Sequence, residues 1–137
     1  MNADCLFCKI IAKHIPADII YEDDVAIAFL DIKPVNPGHF LVVPKQHSEG
    51  FHDADPKNLA GWITAAQTVA NAMTKALGVE AFNLMQNNGA IAGQVVPHLH
   101  LHVIPRHAGD GRELWHGTPA SQEERADIAE KLRNVLR

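Results

Sequence analysis

The chain has 137 residues, of which 47% are hydrophobic and 20% are charged, and its formal net charge is −4 at pH 7. This length fits one domain, and this composition is that of a globular protein rather than a disordered one. The net negative charge, without a block of Lys and Arg, argues against nucleic acid as a partner. The apolar stretches are far shorter than the roughly 20 residues that span a bilayer, so we expect no membrane partner.

Two cysteines lie three positions apart near the N-terminus, at Cys5 and Cys8. The N-terminal segment lacks the basic and long apolar parts of a secretory signal, so we expect a cytoplasmic protein. In that compartment, this cysteine spacing favours metal binding or redox chemistry over a disulfide framework. Composition alone leaves both of these uses open.

In chain order, the first half is predicted to contain a short helix and three strands. Residues 5–13 fit the helix, and residues 18–21 fit a brief strand. Two apolar, partly β-branched runs follow at residues 25–31 and 39–43, separated by a loop that contains prolines and a glycine. We expect these two strands to pair antiparallel.

Residues 56–77 are the most strongly predicted helix. Asp55 offers an N-cap, Pro56 suits the first helical position, and Gly78 provides a C-terminal stop. Apolar residues recur at spacings of three and four and predict one apolar face, namely Leu59, Ile63, Ala66, Val69, Ala70, Met73 and Leu77.

The last part of the chain is predicted to contain two strands and a helix. The strands, at residues 81–86 and 98–104, flank a loop with two glycines, and the helix at residues 121–136 begins with a capping-box pattern from Ser121 to Glu124. Together these elements predict an α+β fold. Its antiparallel sheet has about five strands, with one long helix packed on it and a C-terminal helix.

Three histidines alternate with apolar residues in the second of these strands, at His98, His100 and His102. Alternate side chains of a strand point to opposite faces, so we expect the three imidazoles on one face and the apolar residues against the long helix. Imidazole can attack a phosphorus centre and exchange protons near pH 7, and amides of the neighbouring glycine-bearing loop could face an anion. A set of surface histidines and a metal site that uses all three are the alternatives.

Two segments around these histidines resemble the histidine triad (HIT) family. They are GQVVPHLHLHVIPR at residues 93–106 and FLDIKPVNPGHFLVVPK at residues 29–45, with CKII at residues 8–11 as a third match. The resemblance covers residues 5–107. It implies a single HIT domain over residues 1–137, in which residues 107–137 are a C-terminal extension, and a homodimer that joins two sheets.

The resemblance also implies a nucleoside phosphoramidase or a dinucleoside polyphosphate hydrolase that cleaves at the α-phosphate of a purine nucleotide conjugate. In that family the residue at the position of His100 attacks phosphorus and forms a nucleotidyl-histidine intermediate. By the same correspondence, His102 would contact the phosphate oxygens and His39 would support the active imidazoles. Asp31 would accept hydrogen bonds from ribose hydroxyls. This chemistry requires no catalytic cofactor.

Other family positions carry a weaker signal. Phe29 and Ile32 match the base pocket, although both residue types are more often simply core. Asn87 and Gln94 match polar positions near the phosphate and the leaving group, although either side chain could cap its own loop. Val95 stands where many relatives have a hydroxyl residue, whose family role is to protonate the leaving group.

In some bacterial relatives a structural zinc ion is present, and the resemblance implies Cys5, Cys8, His47 and His98 as its ligands here. Such a site would attach the N-terminus to the histidine strand and leave the other two histidines of the triad free. A redox pair of cysteines is the competing interpretation, although the strand, turn and helix of thioredoxin-like proteins are absent around it.

Two other classes of function remain open. One is a nucleotide-binding adaptor in which catalysis is incidental, and the other is a metal-sensing protein built on the cysteine and histidine ligands. His100 argues against an adaptor with an inactive site. Trp115, in the C-terminal extension, could reach a substrate or pack at a dimer contact.

Overall fold

A five-stranded antiparallel sheet, in the order β1-β2-β3-β5-β4, forms the centre of the molecule. A computed structural model describes residues 2–137. Its helices and strands are α1 Leu6–Ile11, β1 Ile19–Glu22, β2 Ala26–Leu30, β3 Phe40–Pro44, α2 Pro56–Leu77, β4 Ala81–Met85, β5 Leu101–Arg106 and α3 Gln122–Leu136. The predicted α+β fold is therefore confirmed.

One face of the sheet packs against α2. Trp62, Ala66 and Val69 of the helix share a buried core with residues such as Phe40 and Val103 of the strands. The indole N–H of Trp62 donates to the backbone oxygen of Val42 at 2.8 Å, which anchors the helix across the middle of the sheet.

The predicted apolar face of α2 was placed slightly wrongly. Ile63 and Leu77, expected in the core, are 50% and 54% exposed, whereas Trp62 and Ala65 are buried. Neighbouring apolar residues at the border of a helical stripe fit the same periodicity, and the partner strands decide which of them is covered.

The other face of the sheet is partly covered by α1. Phe7 and Ile10 of this helix pack against Ile27, Phe29 and Leu41 of the strands. Residues of β2 and β3 occupy this contact, whereas the part of the face around the start of β5 carries polar side chains. The histidines of the predicted site lie there.

The histidine strand is shorter than predicted. Residues 98–104 were expected to be extended, but β5 begins at Leu101, and its pairing with β3 starts at the same residue. The N–H of Leu99 instead donates to the backbone oxygen of Ser48 in a loop, at 2.8 Å. His98 and His100 thus precede the paired strand, and their rings are not confined to its alternation.

The helix ends follow the predicted caps. The Asp55 side chain accepts the N–H of Lys57 at the start of α2, and Gly78 ends that helix with φ of 65°. Ser121 accepts the N–H of Glu124 at the start of α3. None of the residues of α3 is buried, and no helix within residues 2–137 is long and apolar enough to cross a membrane.

Candidate active site

His39 is positioned by the loop between β2 and β3. The N–H of Asp31 donates to the backbone oxygen of His39 at 3.0 Å, which closes the loop. Gly38, with φ of 94°, precedes the histidine, and a Cβ there would come within 2.5 Å of Leu77 on α2. Only glycine fits this approach without strain, so the loop brings His39 to the sheet in one position, where its side chain is buried.

A chain of hydrogen bonds determines the tautomers of His39 and His102. The N–H of Val35 can only donate, and its 3.0 Å contact with Nδ1 of His39 leaves the ring proton of the neutral imidazole on Nε2. This Nε2 lies 2.9 Å from Nδ1 of His102 and therefore donates to it. Neutral His102 then carries its proton on Nε2, where it can donate to an anion.

The tautomer of His100 is set by the backbone as well. Its Nδ1 lies 2.7 Å from the carbonyl oxygen of His98, which can only accept, so Nδ1 carries the proton. The lone pair is on Nε2. The ring centroids of His100 and His102 are 5.1 Å apart, so a nucleophilic nitrogen and a hydrogen-bond donor lie side by side.

Burial keeps these imidazoles neutral. Removal from water, together with smaller effects of the neighbouring imidazoles of His100 and His39, lowers the pKa of His102 to about 4, and the carboxylate of Asp31 opposes this shift. Burial also lowers the pKa of His100, although the carbonyl of His98 and the carboxylate of Asp31 oppose the shift. The pKa of His39 is lowered by burial in the same way. Near pH 7 His100 therefore has an available lone pair.

The positions predicted to hold a nucleoside are only partly brought together. The Oδ2 atom of Asp31 lies 3.5 Å from Nε2 of His39, next to the imidazoles. Phe29 is buried on the same face of the sheet and packs edge-on against Phe7 at 5.5 Å between ring centroids. Ile32, in contrast, is 88% exposed.

Phe7 is a site residue that the sequence analysis missed. Its ring centroid lies 5.0 Å from that of His100 and 6.0 Å from that of His98, edge-on to both. It therefore forms one wall of the surroundings of His100. Its position between the two cysteines was the available signal, but a lone phenylalanine in a short helix is most often core.

The glycine-bearing loop before the histidines is closed on itself. The Oε1 atom of Gln94 accepts the N–H of Gly89, and its Nε2 donates to the backbone oxygen of Glu49 at 2.6 Å. The amide N–H groups of residues 92–94 also donate within the loop, so they are not free to face an anion as expected. Gln94 thus makes the loop-capping contacts that were its alternative interpretation, and Asn87 lies half-buried beside Gly93.

A second cluster joins the N-terminus to the histidine segment. Nδ1 of His98 lies 3.4 Å and 3.6 Å from the Sγ atoms of Cys5 and Cys8, and 3.1 Å from Nδ1 of His47. Nε2 of His98 contacts the carbonyl oxygen of Pro44 at 2.8 Å, so the ring proton is on Nε2 and Nδ1 has the lone pair. Burial also lowers the pKa of His98 to about 4.

These four residues fit a metal ion. Their donor atoms all lie within 4.8 Å of one another. A tetrahedral zinc ion with Zn–S of about 2.3 Å and Zn–N of about 2.0–2.1 Å needs ligand atoms roughly 3.3–3.8 Å apart. Because the cluster uses His98 alone of the triad, the three histidines do not form one metal site.

Asp31, His39 and His102 also have donor atoms within 4.8 Å of one another. A metal ion on Nε2 of His39 would require that atom to lose its proton. Nδ1 of the same ring already accepts the N–H of Val35, so the ring would become an anionic imidazolate or break that hydrogen bond. The tautomers therefore make this trio a hydrogen-bonded group and not a metal site.

Comparison with known proteins gives the HIT domain as the family that matches residues 12–109. An uncharacterised HIT-like protein of Methanocaldococcus jannaschii is 42% identical over 131 residues, which are 96% of this chain and 98% of that protein. The adenosine 5'-monophosphoramidase of Schizosaccharomyces pombe is 37% identical over 97% of this chain and 98% of its own length. An adenylylsulfatase of Arabidopsis thaliana is 43% identical over 84% of this chain, which corresponds to 57% of that protein.

Solved structures share the fold. A crystal structure of a Streptococcus mutans protein superposes with a TM-score of 0.94 at 34% identity and covers 100% of this chain and 88% of that one. A zinc-bound histidine triad family protein of Mycobacterium smegmatis superposes with a TM-score of 0.75 at 36% identity, over 96% of this chain and 97% of that one.

Proposed function

Because this chain belongs to the histidine triad family, we propose that it hydrolyses purine nucleotide conjugates at the α-phosphate through a nucleotidyl-histidine intermediate on His100. The observation that carries the proposal is the 2.7 Å contact from Nδ1 of His100 to the carbonyl of His98, which leaves the Nε2 lone pair free. Relatives named as a monophosphoramidase and an adenylylsulfatase support nucleotide hydrolysis as the general activity.

In the first step, Nε2 of His100 attacks the α-phosphorus and the bond to the leaving group breaks. The electron pair of that bond passes to the leaving group. The Nε2–H group of His102 donates a hydrogen bond to a phosphate oxygen and so stabilises the negative charge that develops there. His39 holds His102 in the required tautomer through their 2.9 Å contact.

In the second step, water attacks the same phosphorus and the N–P bond breaks. The lone pair returns to His100, the nucleoside monophosphate leaves, and the water proton passes to solvent. Asp31 is proposed to hold the ribose hydroxyls through both steps, with Phe29 and Phe7 beside the base. Ile32, Asn87 and Gln94 remain proposed substrate contacts.

Mass spectrometry of the intact protein tests this proposal. Wild-type protein mixed with adenosine 5'-phosphoramidate or with diadenosine triphosphate, and quenched without acid, should gain the mass of one adenylyl group. His100→Ala should gain none. The control His14→Ala alters an exposed histidine that is remote in sequence from His100, and it should react as the wild type does. If neither the wild type nor the control gains an adduct or turns over either compound, the adaptor or metal-sensing function replaces this one.

We also propose that the cluster of Cys5, Cys8, His47 and His98 holds a structural zinc ion. Both sulfur atoms face the free Nδ1 of His98, which supports a shared cation over a redox pair. Zinc would crosslink α1 to the segment that carries the nucleophile and would take no part in the reaction. The chemistry of His100 and His102 itself needs no cofactor.

A homodimer is the assembly that we propose. The edge strand β4 exposes Phe82 and Leu84, and together with Ile63 of α2 they line an apolar groove of about 410 Å³. An exposed sheet edge beside apolar side chains is suited to pair with a second copy of the same strand.

The remaining expectations stand as proposals too. We propose a cytoplasmic location, where reducing conditions would keep Cys5 and Cys8 available as metal ligands. We also propose that residues 107–137 act as an extension of a single HIT domain, since the family match ends at residue 109.

A further inference from the structure

The turn between β2 and β3 has few backbone donors, and one of them sets the tautomer of His39. Of residues 34–37 the two prolines have no N–H group, so Val35 and Asn36 supply the backbone donors there. The N–H of Val35 donates to Nδ1 of His39 at 3.0 Å. The N–H of His39 in turn donates to the backbone oxygen of Asn36 at 3.1 Å, which closes the turn.

The side chain of Asn36 fastens this turn to the histidine strand. Its Nδ2 donates to the backbone oxygen of Pro105 in β5 at 2.8 Å and to Oδ2 of Asp110 at 3.0 Å. Because Asn36 is only 8% exposed, water competes little with these two hydrogen bonds. The strand that carries His102 and the turn that carries His39 are thereby held together.

Asp110 is a firm anchor for this amide. Its carboxylate accepts two N–H groups of the Arg106 guanidinium, at 2.8 and 3.1 Å, and the backbone N–H groups of His107 and Arg112, at 3.2 and 3.0 Å. These contacts, that of Arg106 above all, hold the pKa of Asp110 well below its usual range. The carboxylate therefore stays ionised and continues to accept from Asn36 near neutral pH.

The rings of His39 and His102 have two consistent arrangements of their protons. In one, Nε2 of His39 donates to Nδ1 of His102, and Nε2 of His102 keeps its proton. In the other, the direction of this hydrogen bond is reversed, and Nε2 of His102 has a lone pair. Only the first arrangement stabilises a phosphate oxygen. The N–H of Val35 favours it, because the second would place a ring N–H against that donor.

We propose that Asn36 is a positioning residue that holds residues 35–39 on β5, keeps the N–H of Val35 on Nδ1 of His39, and so keeps the proton of His102 on Nε2. The proposal rests on the hydrolase function above, since it concerns the same histidines. Arg112 holds the turn as well, because its Nη2 donates to the backbone oxygen of Val35 at 2.6 Å. Loss of the Asn36 side chain should therefore loosen the turn without detaching it.

NMR of zinc-loaded protein labelled with 15N-histidine tests this inference without any substrate. The shift of a ring nitrogen reports whether it carries a proton, and fast exchange averages the shift over the two tautomers. Asn36→Ala removes the side chain, Val35→Pro removes the donor itself, and Asp110→Asn removes only the charge on the anchor. Asn134→Ala, on the exposed helix α3, is the matched control.

At pH 7 the wild type should have unprotonated Nδ1 and protonated Nε2 in both rings. Asn36→Ala should move the Nδ1 shifts of His39 and His102 toward the protonated value and their Nε2 shifts the opposite way, which distinguishes a change of tautomer from formation of imidazolium. Val35→Pro should move these shifts at least as far, and Asp110→Asn part of the way. Asn134→Ala should leave them unchanged.

Steady-state kinetics with adenosine 5'-phosphoramidate give a second readout. Asn36→Ala should lower kcat about two- to tenfold, as expected for loss of roughly one hydrogen bond between neutral groups. KM should change by less than about twofold, because Asn36 acts through the imidazoles and not on the bound nucleotide. Asn134→Ala should keep both wild-type values.

A folded Asn36→Ala protein with wild-type ring shifts would overturn the inference, and so would a wild type with the opposite tautomers. If Asn36→Ala does not fold, Asp110→Asn decides by the same criterion. Failure of the hydrolase function is distinguishable, because the wild type would then turn over no nucleotide while the ring shifts still report the effect of Asn36.

Discussion

At the scale of single residues, backbone groups decide which ring nitrogen of His39, His98 and His100 carries a proton, and His39 in turn decides it for His102. Val35 N–H, the carbonyl of His98 and the carbonyl of Pro44 set the tautomers of His39, His100 and His98. The sequence could predict that these histidines matter, because they alternate in a short segment. It could not predict their tautomers, since backbone partners from distant loops leave no residue-type signal.

Burial of a neutral His102 should make the fold sensitive to acid. The pKa of His102 is lowered to about 4 in the folded protein, whereas it is about 6.5 in an unfolded chain. Its stabilising contribution is therefore fully present above about pH 6.5 and is lost as the pH falls toward 4. Between pH 7 and pH 5 the free energy of unfolding should fall by about 1–2 kcal/mol more for the wild type than for His102→Asn.

Urea unfolding of both proteins at the two pH values, with equal zinc loading, measures this difference. Asparagine can still accept the N–H of His39, so the variant should fold. Identical pH dependence in the two proteins would show that His102 is already protonated in the folded state at pH 5.

At the scale of elements, predictions succeeded where the determinants are local. The N-cap at Asp55 and the stop at Gly78 lie in the sequence next to the helix that they bound, and α2 has the predicted ends. The predicted start of β5 was wrong because the pairing of this strand depends on β3, which is remote in sequence. The predicted border of the buried face of α2 was wrong for a similar reason, since the sheet determines that Trp62 is covered and Ile63 is not.

The contact of α2 with the start of β2 gives a prediction about Gly61. A Cβ at this position would come within 2.7 Å of Cγ1 of Val25. Alanine favours the helix by about 1 kcal/mol over glycine, but overpacking typically costs about 1–3 kcal/mol. We expect Gly61→Ala to destabilise the wild type by about 1 kcal/mol and to stabilise the Val25→Ala variant.

Chemical denaturation of the two single variants and the double variant completes this cycle. The change of sign is the informative result, because it separates the close contact from helix propensity. If Gly61→Ala has the same effect in both backgrounds, the approach of α2 to Val25 is looser than the structure indicates.

At the scale of the whole molecule, distant segments meet at two places, the proposed zinc cluster and the face of the sheet with the proposed catalytic histidines. The spacing of Cys5 and Cys8 was visible in the sequence, but His47 and His98 came from the family resemblance. Their convergence depends on the loop after β3 and on α1 packing over the sheet. Phe7 was missed because its contacts with His98 and His100 arise only from that packing.

Removal of zinc should therefore loosen the N-terminal part of the molecule. We expect the zinc-loaded protein to bind about one zinc ion per chain and to unfold at a higher temperature than the protein treated with a chelator. Cys8→Ser should lose the metal and should unfold at the same temperature with or without zinc. Elemental analysis with thermal denaturation measures both, and a wild type without zinc-dependent stability would exclude this site.

The proposed dimer depends on how the edge strand β4 is covered. Leu84 is 57% exposed beside Phe82 and Ile63, and in a symmetric interface every substitution acts in both copies. Leu84→Lys would place a charge in each half of an apolar contact. A loss of about 1.4 kcal/mol per copy would raise the dimer dissociation constant about 100-fold. Val135→Lys on α3, where the side chain is 84% exposed, is the matched control and should leave the constant unchanged. Sedimentation velocity over a concentration series measures the constant for all three proteins. A wild type that stays monomeric, or equal effects of the two substitutions, would show that β4 is not the edge through which two copies associate.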